Sequence, residues 1–233
     1  MKEKILLTGG SGGIGTAIAK KFDEEGIPFL NLDIKIDRDL FPNETFRNMD
    51  FRSTDSGILY EYPEITTFVH CAGYGGPFHP ITEVEEDEWD SIFSINLKSA
   101  YQILKVLLPL WQKMSYGRFV GIASSLSIVG SANSVAYSAS KHGLIGLVRS
   151  IADEWGKYGI TSNAISPGYV ETKMGVQESE VSDHRNQILN RTPSKKIASP
   201  EEIARVVVFL LDEKSSYING ANWTVDGGIT AVY

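Results

Sequence analysis

Short, nearly unbroken apolar runs alternate along the chain with longer stretches in which apolar residues recur every three or four positions. "KILLTG" (4–9) and "TTFVHCAG" (66–73) are runs of the first kind, as expected of strands covered on both faces. "IPFLNLD" (27–33), "TFRNMD" (45–50), "GRFVGIAS" (117–124), "ITSNAISPG" (160–168) and "ANWTVDGG" (221–228) read as further strands. Ile14, Ile18 and Phe22 share one helical face in residues 13–26, and Gly26 supplies the stop. Residues 85–114 read as one or two long helices, and another starts near Val135. The helix from 199 has a full start signal: Ser199 as N-cap, Pro200 at the first position, and Glu201 and Glu202 in the first turn. Between Lys173 and Lys196 the chain is polar and loosely patterned, and residues 173–196 are expected to form an active-site lid or to be partly disordered.

Strand-helix alternation implies βαβ units and a parallel sheet with helices on both faces. No composition break, linker or repeat divides the 233 residues, so residues 1–233 are expected to form a single α/β domain.

A net charge of −7 argues against nucleic acid or an anionic membrane as partner. Cys71 is the only cysteine, so no internal disulfide can form. No apolar run approaches the roughly 18 residues that span a bilayer, and the first strand begins too early for a signal peptide. The sequons at Asn43, Asn190 and Asn222 then read as chance matches, and the expected location is the cytoplasm.

Chemistry enters at "LLTGGSGGIG". Thr8, Gly9, Gly13 and Gly15 lie between the first strand and its helix, where a tight turn aims a helix N-terminus at a pyrophosphate. Asp33, 18 residues past Gly15, ends the second strand. A carboxylate there accepts from ribose hydroxyls and repels a 2′-phosphate, by up to about 4 kcal/mol for unit charges about 4 Å apart at an effective dielectric of about 20. No basic residue lies within the loop, although Lys35 is near, so NAD is favoured over NADP.

Tyr-x-x-x-Lys occurs three times: Tyr101 with Lys105, Tyr137 with Lys141, and Tyr169 with Lys173. Spacing alone does not choose among them. The second pair opens the helix after the fifth strand, beside the carboxyl edge where such sheets bind ligands, and residues four apart share a helical face. Tyr101 sits in an apolar helix suited to packing, and Tyr169 follows Pro167-Gly168 in a loop.

The order and spacing of these elements resemble the short-chain dehydrogenase/reductase family over essentially the whole chain. The resemblance rests on Thr-Gly-x-x-x-Gly-x-Gly at 8–15, Asp33, "CAG" at 71–73, Asn96, "ASS" at 123–125, Tyr137-x-x-x-Lys141, "SPG" at 166–168 and "VDGG" at 225–228. It implies a Rossmann-type doubly wound fold and hydride transfer between a nicotinamide and a secondary alcohol or ketone. Tyr137 would be the general acid/base, and Lys141 would lower its pKa and bind the nicotinamide ribose. Ser124, 13 residues before Tyr137, would orient the substrate oxygen, with Ser125 as fallback. Asn96 would kink its helix and hold a relay water. A free phenol titrates at about 10, so base work near neutrality asks for roughly 3 units, or about 4 kcal/mol, which one cation about 4 Å away can supply.

The resemblance also assigns cofactor contacts. Thr8, Gly9, Ser11, Gly13, Ile14 and Gly15 would cradle the pyrophosphate, and Asp33, Asp50 and Phe51 would meet the adenosine side. Cys71, Ala72 and Gly73 would line the approach. Pro167, Gly168, Val170 and Thr172, with Tyr137 and Lys141, would hold the nicotinamide end.

Two departures stand out. His70-Cys71 replaces the family's Asn-Asn, with His70 expected to be packed or singly bonded and Cys71 to be a small core residue. The stretch between the second and fourth strands is short for the family, which suggests a trimmed helix. His79, His142 and His184 show no metal-site pairing, and the acidic run 83–90 reads as a solvated helix face. Apolar residues in 104–110 and 144–151 would suit a homodimer or homotetramer seam. The competing readings are a 3-oxoacyl-thioester reductase and a catalytically silent NAD-binding sensor. Substrate choice would lie in 169–196 and in "YGGPFHP" after Gly73, which carry no readable motif.

Overall fold

Along the first strand Ile5 and Leu7 pack into one apolar core while Leu6 packs into another, the period-two alternation of a sheet covered on both sides. The structure is a computed structural model and describes residues 4–53, 56–172 and 182–232. Its strands are β1 (Ile5–Thr8), β2 (Phe29–Asp33), β3 (Glu44–Asn48), β4 (Thr67–His70), β5 (Gly117–Ile122), β6 (Ile160–Pro167) and β7 (Asn222–Val225). They form one sheet in the order β3-β2-β1-β4-β5-β6-β7, with every pairing parallel.

The helices are α1 (Gly13–Glu24), α2 (Glu86–Phe93), α3 (Ser99–Met114), α4 (Val135–Trp155), α5 (Ser182–Arg191) and α6 (Pro200–Leu211). Helices α3 and α4 cover one face, where Leu104, Leu107, Leu144 and Val148 meet Leu6, Phe68 and Phe119. Helices α1 and α6 cover the other, where Ile18, Phe22, Ile203 and Val207 meet Leu7, Val69 and Ile165. Trp111, fully buried, donates from its indole N–H to the Ile65 carbonyl at 2.8 Å, so even the largest core side chain leaves no polar group unpaired. Strand order reverses at β1, which lies between β2 and β4, so a crevice opens at the carboxyl ends of β1 and β4.

Local signals explain the boundaries. Gly26 adopts φ +65° and donates to the Asp23 carbonyl just past α1, as the stop at this position requires. At α6 the Glu202 carboxylate accepts from the Ser199 backbone N–H at 3.0 Å, one half of a capping box.

Several expectations are corrected. Strand β3 ends at Asn48, so Asp50 lies beyond it in a turn. No α-helix occurs among the described residues between β2 and β4, where only two 3₁₀ turns, Phe51–Ser53 and Ser56–Glu61, are found. The loosely patterned stretch carries α5, and the expected lid, with Lys173, falls partly on residues 173–181, outside the described residues. Of the apolar residues nominated for a subunit seam, Leu104, Leu107, Leu144 and Val148 are buried against the sheet, while Val106, Leu110 and Leu147 are only partly buried. Among the described residues no helix is long and apolar enough to cross a membrane.

Candidate active site

The loop between β1 and α1 is shaped by close backbone approach. A Cβ on Gly15 would lie 1.9 Å from the Gly9 carbonyl oxygen, and Gly9 itself has φ +71°. A Cβ on Gly13 would lie 2.5 Å from Thr172 Cγ2, so the loop after β6 comes directly onto the glycine turn. Ser11 donates its N–H to Asp33 Oδ2 at 2.9 Å, and its hydroxyl oxygen is buried with no partner within the chain. Asp33 Oδ1 accepts from Ile34 N–H at 2.7 Å. These features fit a dinucleotide: a glycine cradle, an orphaned hydroxyl and a helix N-terminus converge at the crevice, with the Asp33 carboxylate hydrogen-bonded to the loop.

Of the remaining cofactor candidates, Ile14 packs at the edge of the α1 core, and Ala72 is buried with its N–H donating to Thr8 Oγ1 at 3.3 Å. Gly168 N–H donates to the Val225 carbonyl at 3.0 Å, which anchors the turn after Pro167. Val170 bridges to Ala198. Asp50 is held by Arg52, whose Nη2 lies 2.6 Å from Oδ2, and this pairing keeps the carboxyl below its usual range. Phe51 buries its ring in the core, which leaves only its backbone for a ligand. Burial pushes the Cys71 thiol up to about 12, so it stays protonated.

His70 departs from expectation. Register sets it directly opposite Thr8, and both side chains face the α3–α4 side of the sheet. Its Nδ1 lies 3.0 Å from Thr8 Oγ1, and its Nε2 lies 3.2 Å from the main-chain carbonyl of Asn96. A carbonyl only accepts, so Nε2 carries the proton and Nδ1 accepts from the threonine hydroxyl. The ring is doubly bonded, and burial lowers its pKa to about 3, which keeps it neutral.

Asn96 occupies the centre of a π-helical turn, Ser94–Lys98, between α2 and α3. Such a turn displaces a carbonyl from the helical ladder, and π-turns recur at functional sites. The Asn96 Oδ1 accepts from Tyr74 N–H at 2.8 Å, while its Nδ2 donates to the Tyr74 carbonyl at 3.1 Å and to Ser140 Oγ at 3.0 Å. Both Nδ2 hydrogens are thereby used and Oδ1 accepts one bond, so the side chain ties the loop after Gly73 to α4.

Tyr137 and Lys141 sit one turn apart on α4, with Lys141 Nζ 5.7 Å from the Tyr137 ring centroid. Nζ donates to the Ile122 carbonyl at the end of β5 at 2.8 Å. Burial lowers the Lys141 pKa to about 8, so the ammonium persists at neutrality on the same helical face as the Tyr137 ring. A Cβ on Gly73 would lie 3.5 Å from that Nζ and 3.8 Å from Asn96 Oδ1, which brings β4, the π-turn and α4 to one point. Ser124 caps the 3₁₀ turn Ser125–Ser127, accepting from Leu126 N–H at 3.1 Å, so its own hydroxyl proton is left to donate. Ser125 is the first residue of that turn.

The other two Tyr-Lys pairs separate. Tyr101 is exposed on α3, and Lys173 lies outside the described residues. A cleft beside Tyr137 is lined by Gly75, Pro77, Glu88 and Ile92 and by residues 133–136. His79 Nε2 lies 2.8 Å from Glu88 Oε2 at this wall, and no cluster of metal-ligating side chains occurs among the described residues.

Sequence reasoning missed Ser140, Tyr74 and the second bond of His70. Ser140 stands inside the Tyr137–Lys141 interval, one position from the lysine, and its role follows from the turn facing Asn96.

The sequence model of a family described as Enoyl-(Acyl carrier protein) reductase matches residues 9–230. The 3-oxoacyl-[acyl-carrier-protein] reductase FabG of Buchnera aphidicola subsp. Schizaphis graminum is 33% identical, across 98% of this chain and 97% of its own length. A 4-hydroxyisoleucine dehydrogenase complexed with NADH superposes with a TM-score of 0.91 at 25% identity, covering 99% of this chain and 100% of its own. ElxO with NADP bound superposes with a TM-score of 0.89 at 25% identity, covering 100% of both chains.

Proposed function

The chain belongs to the short-chain dehydrogenase/reductase family, and on that footing we propose an NAD-dependent oxidoreductase that interconverts a secondary alcohol and a ketone, with Tyr137 as general acid/base. The observation that carries this reading is the buried Lys141 ammonium beside the Tyr137 ring, next to a glycine turn shaped for a dinucleotide.

The bound nicotinamide supplies the hydride acceptor for oxidation and the donor for reduction. Residues of the glycine turn would hold its pyrophosphate, Asp33 would take the adenosine ribose, and Thr172 would meet the carboxamide end. Ser124 donates to the substrate oxygen and fixes it before Tyr137. In oxidation the Tyr137 phenolate oxygen takes the hydroxyl proton, and in reduction the phenol returns it to the carbonyl oxygen. Lys141 stabilises the phenolate, and Asn96 holds the relay helix in place.

Three features support NAD over NADP. Asp33 is presented at the loop, Lys35 is paired with Asp37 at 2.8 Å, and the Arg38 guanidinium is committed to Glu44 at 2.7 Å. None of these offers a free cation to a 2′-phosphate. The solved relatives carry either cofactor, so paired titration with NAD⁺ and NADP⁺ decides the preference.

The 3-oxoacyl-thioester reductase reading draws on the relative from Buchnera. Against it, residues 74–95 and 124–136 bordering the cleft hold no Lys or Arg, while 83–90 is strongly acidic. A phosphorylated, anionic acyl carrier would find no counter-charge on those walls. Neutral alcohols with apolar bodies suit them better, given exposed Tyr74, Phe78 and Ile81 on the same loop.

The reading extends to a cytoplasmic homodimer or homotetramer. Its support is β7, an edge strand whose Trp223 packs on the exposed ring of Phe209, a surface that asks for a cover. The test of function is turnover across neutral secondary alcohols with NAD⁺, set against reduction of 3-oxoacyl thioesters. Dominant thioester turnover overturns the first reading, and tight NAD⁺ binding with no turnover on either panel favours the sensor.

A further inference from the structure

The connection from β2 to β3, residues 34–43, contains no helix. In its place stands a closed polar ring. Glu44, the first residue of β3, has a fully buried side chain that accepts four hydrogen bonds. They come from Asn31 Nδ2 at 2.7 Å, Arg38 Nη1 at 2.7 Å, Arg38 Nη2 at 2.9 Å and Phe41 N–H at 3.1 Å. Arg38 also stacks on the Phe41 ring, 4.2 Å from its centroid.

Two arms of this ring reach the glycine turn. Asn31 Oδ1 accepts from Gly10 N–H at 3.1 Å, and Arg38 Nη2 donates to the Gly10 carbonyl at 3.2 Å. Both backbone groups of one loop residue are thus held by side chains, and the next residue, Ser11, is held by Asp33. A ring serving only to fill the helix-free connection would have no reason to grip the loop between Gly9 and Ser11. A Cβ on Gly10 would strike Asn31 Oδ1 at 2.5 Å, so glycine at this position is what lets the amide approach.

We propose that Arg38, gripped by Glu44, is a positioning residue for the cofactor: with Asn31 it fixes the Gly10 peptide so that the glycine turn is preshaped for the pyrophosphate. A flexible turn must be ordered on binding, and preorganisation removes that cost from the measured affinity. The carboxylate of Glu44 serves here by aiming the guanidinium, since an unpaired arginine would turn to water.

The inference rests on the dinucleotide reading and is tested by binding alone. NAD⁺ and ADP-ribose are titrated calorimetrically into wild type, Arg38→Met and Arg38→Lys, with thermal unfolding measured alongside. Arg38→Lys keeps a cation for Glu44 but cannot also span to the Gly10 carbonyl, and it decides the matter if Arg38→Met does not fold. The expected result is a loss of about tenfold in affinity for both ligands, the effect of removing a charge-assisted bond to the loop. Amide exchange in the peptide 8–16 should quicken, and kcat at saturating cofactor should stay within about twofold. A merely structural role lowers the melting temperature and leaves the affinity of the folded variant unchanged. Folded variants that bind NAD⁺ within about twofold of wild type overturn the positioning role and leave the enzyme reading standing. A wild type that binds no dinucleotide overturns both.

Discussion

The imidazole of His70 donates from Nε2 to the main-chain carbonyl of Asn96 at 3.2 Å, tying the fourth strand to the π-turn between α2 and α3. With Thr8 on its other nitrogen, the ring links the glycine turn to the candidate proton relay. Its folded pKa of about 3 lies below the ordinary 6.5 because of burial. Between these values the unfolded chain binds a proton that the folded chain does not, so stability falls as pH drops through that window. The full loss is about 5 kcal/mol, complete only below pH ~3, and none of it is felt above pH ~7. His70→Asn should melt lower at neutral pH, by about 1–3 kcal/mol for the bond lost. Its melting temperature should then decline less steeply than wild type on acidification. Parallel acid profiles would show that the ring is not buried as a neutral base.

Lys141 titrates in the opposite range. Burial lowers its pKa from 10.5 to about 8, so between these values the unfolded chain binds more protons and stability rises with pH. Wild type should therefore gain stability from pH ~8 to ~10 relative to Lys141→Met, whose profile lacks that rise. Over the same range kcat/KM for the cofactor should fall as the ammonium is lost. Lys141→Met should lose at least about a hundredfold in kcat. An unchanged alkaline limb in that variant would remove Lys141 from the reaction.

Asp33 accepts from Ser11 and Ile34 at the end of the second strand. Asp33→Ser removes the charge that opposes a 2′-phosphate, and the NADP⁺ to NAD⁺ affinity ratio should rise by about tenfold or more. Fluorescence titration of both cofactors reads it directly. A ratio that does not move would place cofactor choice elsewhere.

Gly13 and Thr172 are coupled by contact. Gly13→Ala sets a Cβ 2.5 Å from Thr172 Cγ2 and should weaken cofactor binding by about tenfold. Thr172→Ser removes that methyl and keeps the hydroxyl, so the double variant should recover part of the loss. Strictly additive effects would separate the two residues.

Much of this was legible in the sequence, for identifiable reasons. Strands buried on both faces write themselves as apolar runs, and "LLTGGSGGIG" carries its own backbone requirement in its glycines. The 137/141 pair stood out by its position after the fifth strand. What stayed hidden depends on partners distant in the chain. Arg38 and Glu44 look like members of a solvated loop until Asn31 and Gly10 are brought beside them. His70 gains its second bond only from a carbonyl freed by the π-turn, which no hydrophobic period announces. Much of the apolar pattern on α3 and α4 is explained by the sheet they cover, where Leu104, Leu107, Leu144 and Val148 are buried. Helix α5 carries too few apolar residues to show a stripe.

The most direct measurement is Tyr137→Phe, which removes one oxygen and leaves the ring beside Lys141. NAD⁺ affinity should remain within about twofold, while turnover of the best secondary alcohol should fall by about two to four orders of magnitude, the usual contribution of a general acid/base. Turnover within about tenfold of wild type would contradict the assignment of the proton to Tyr137.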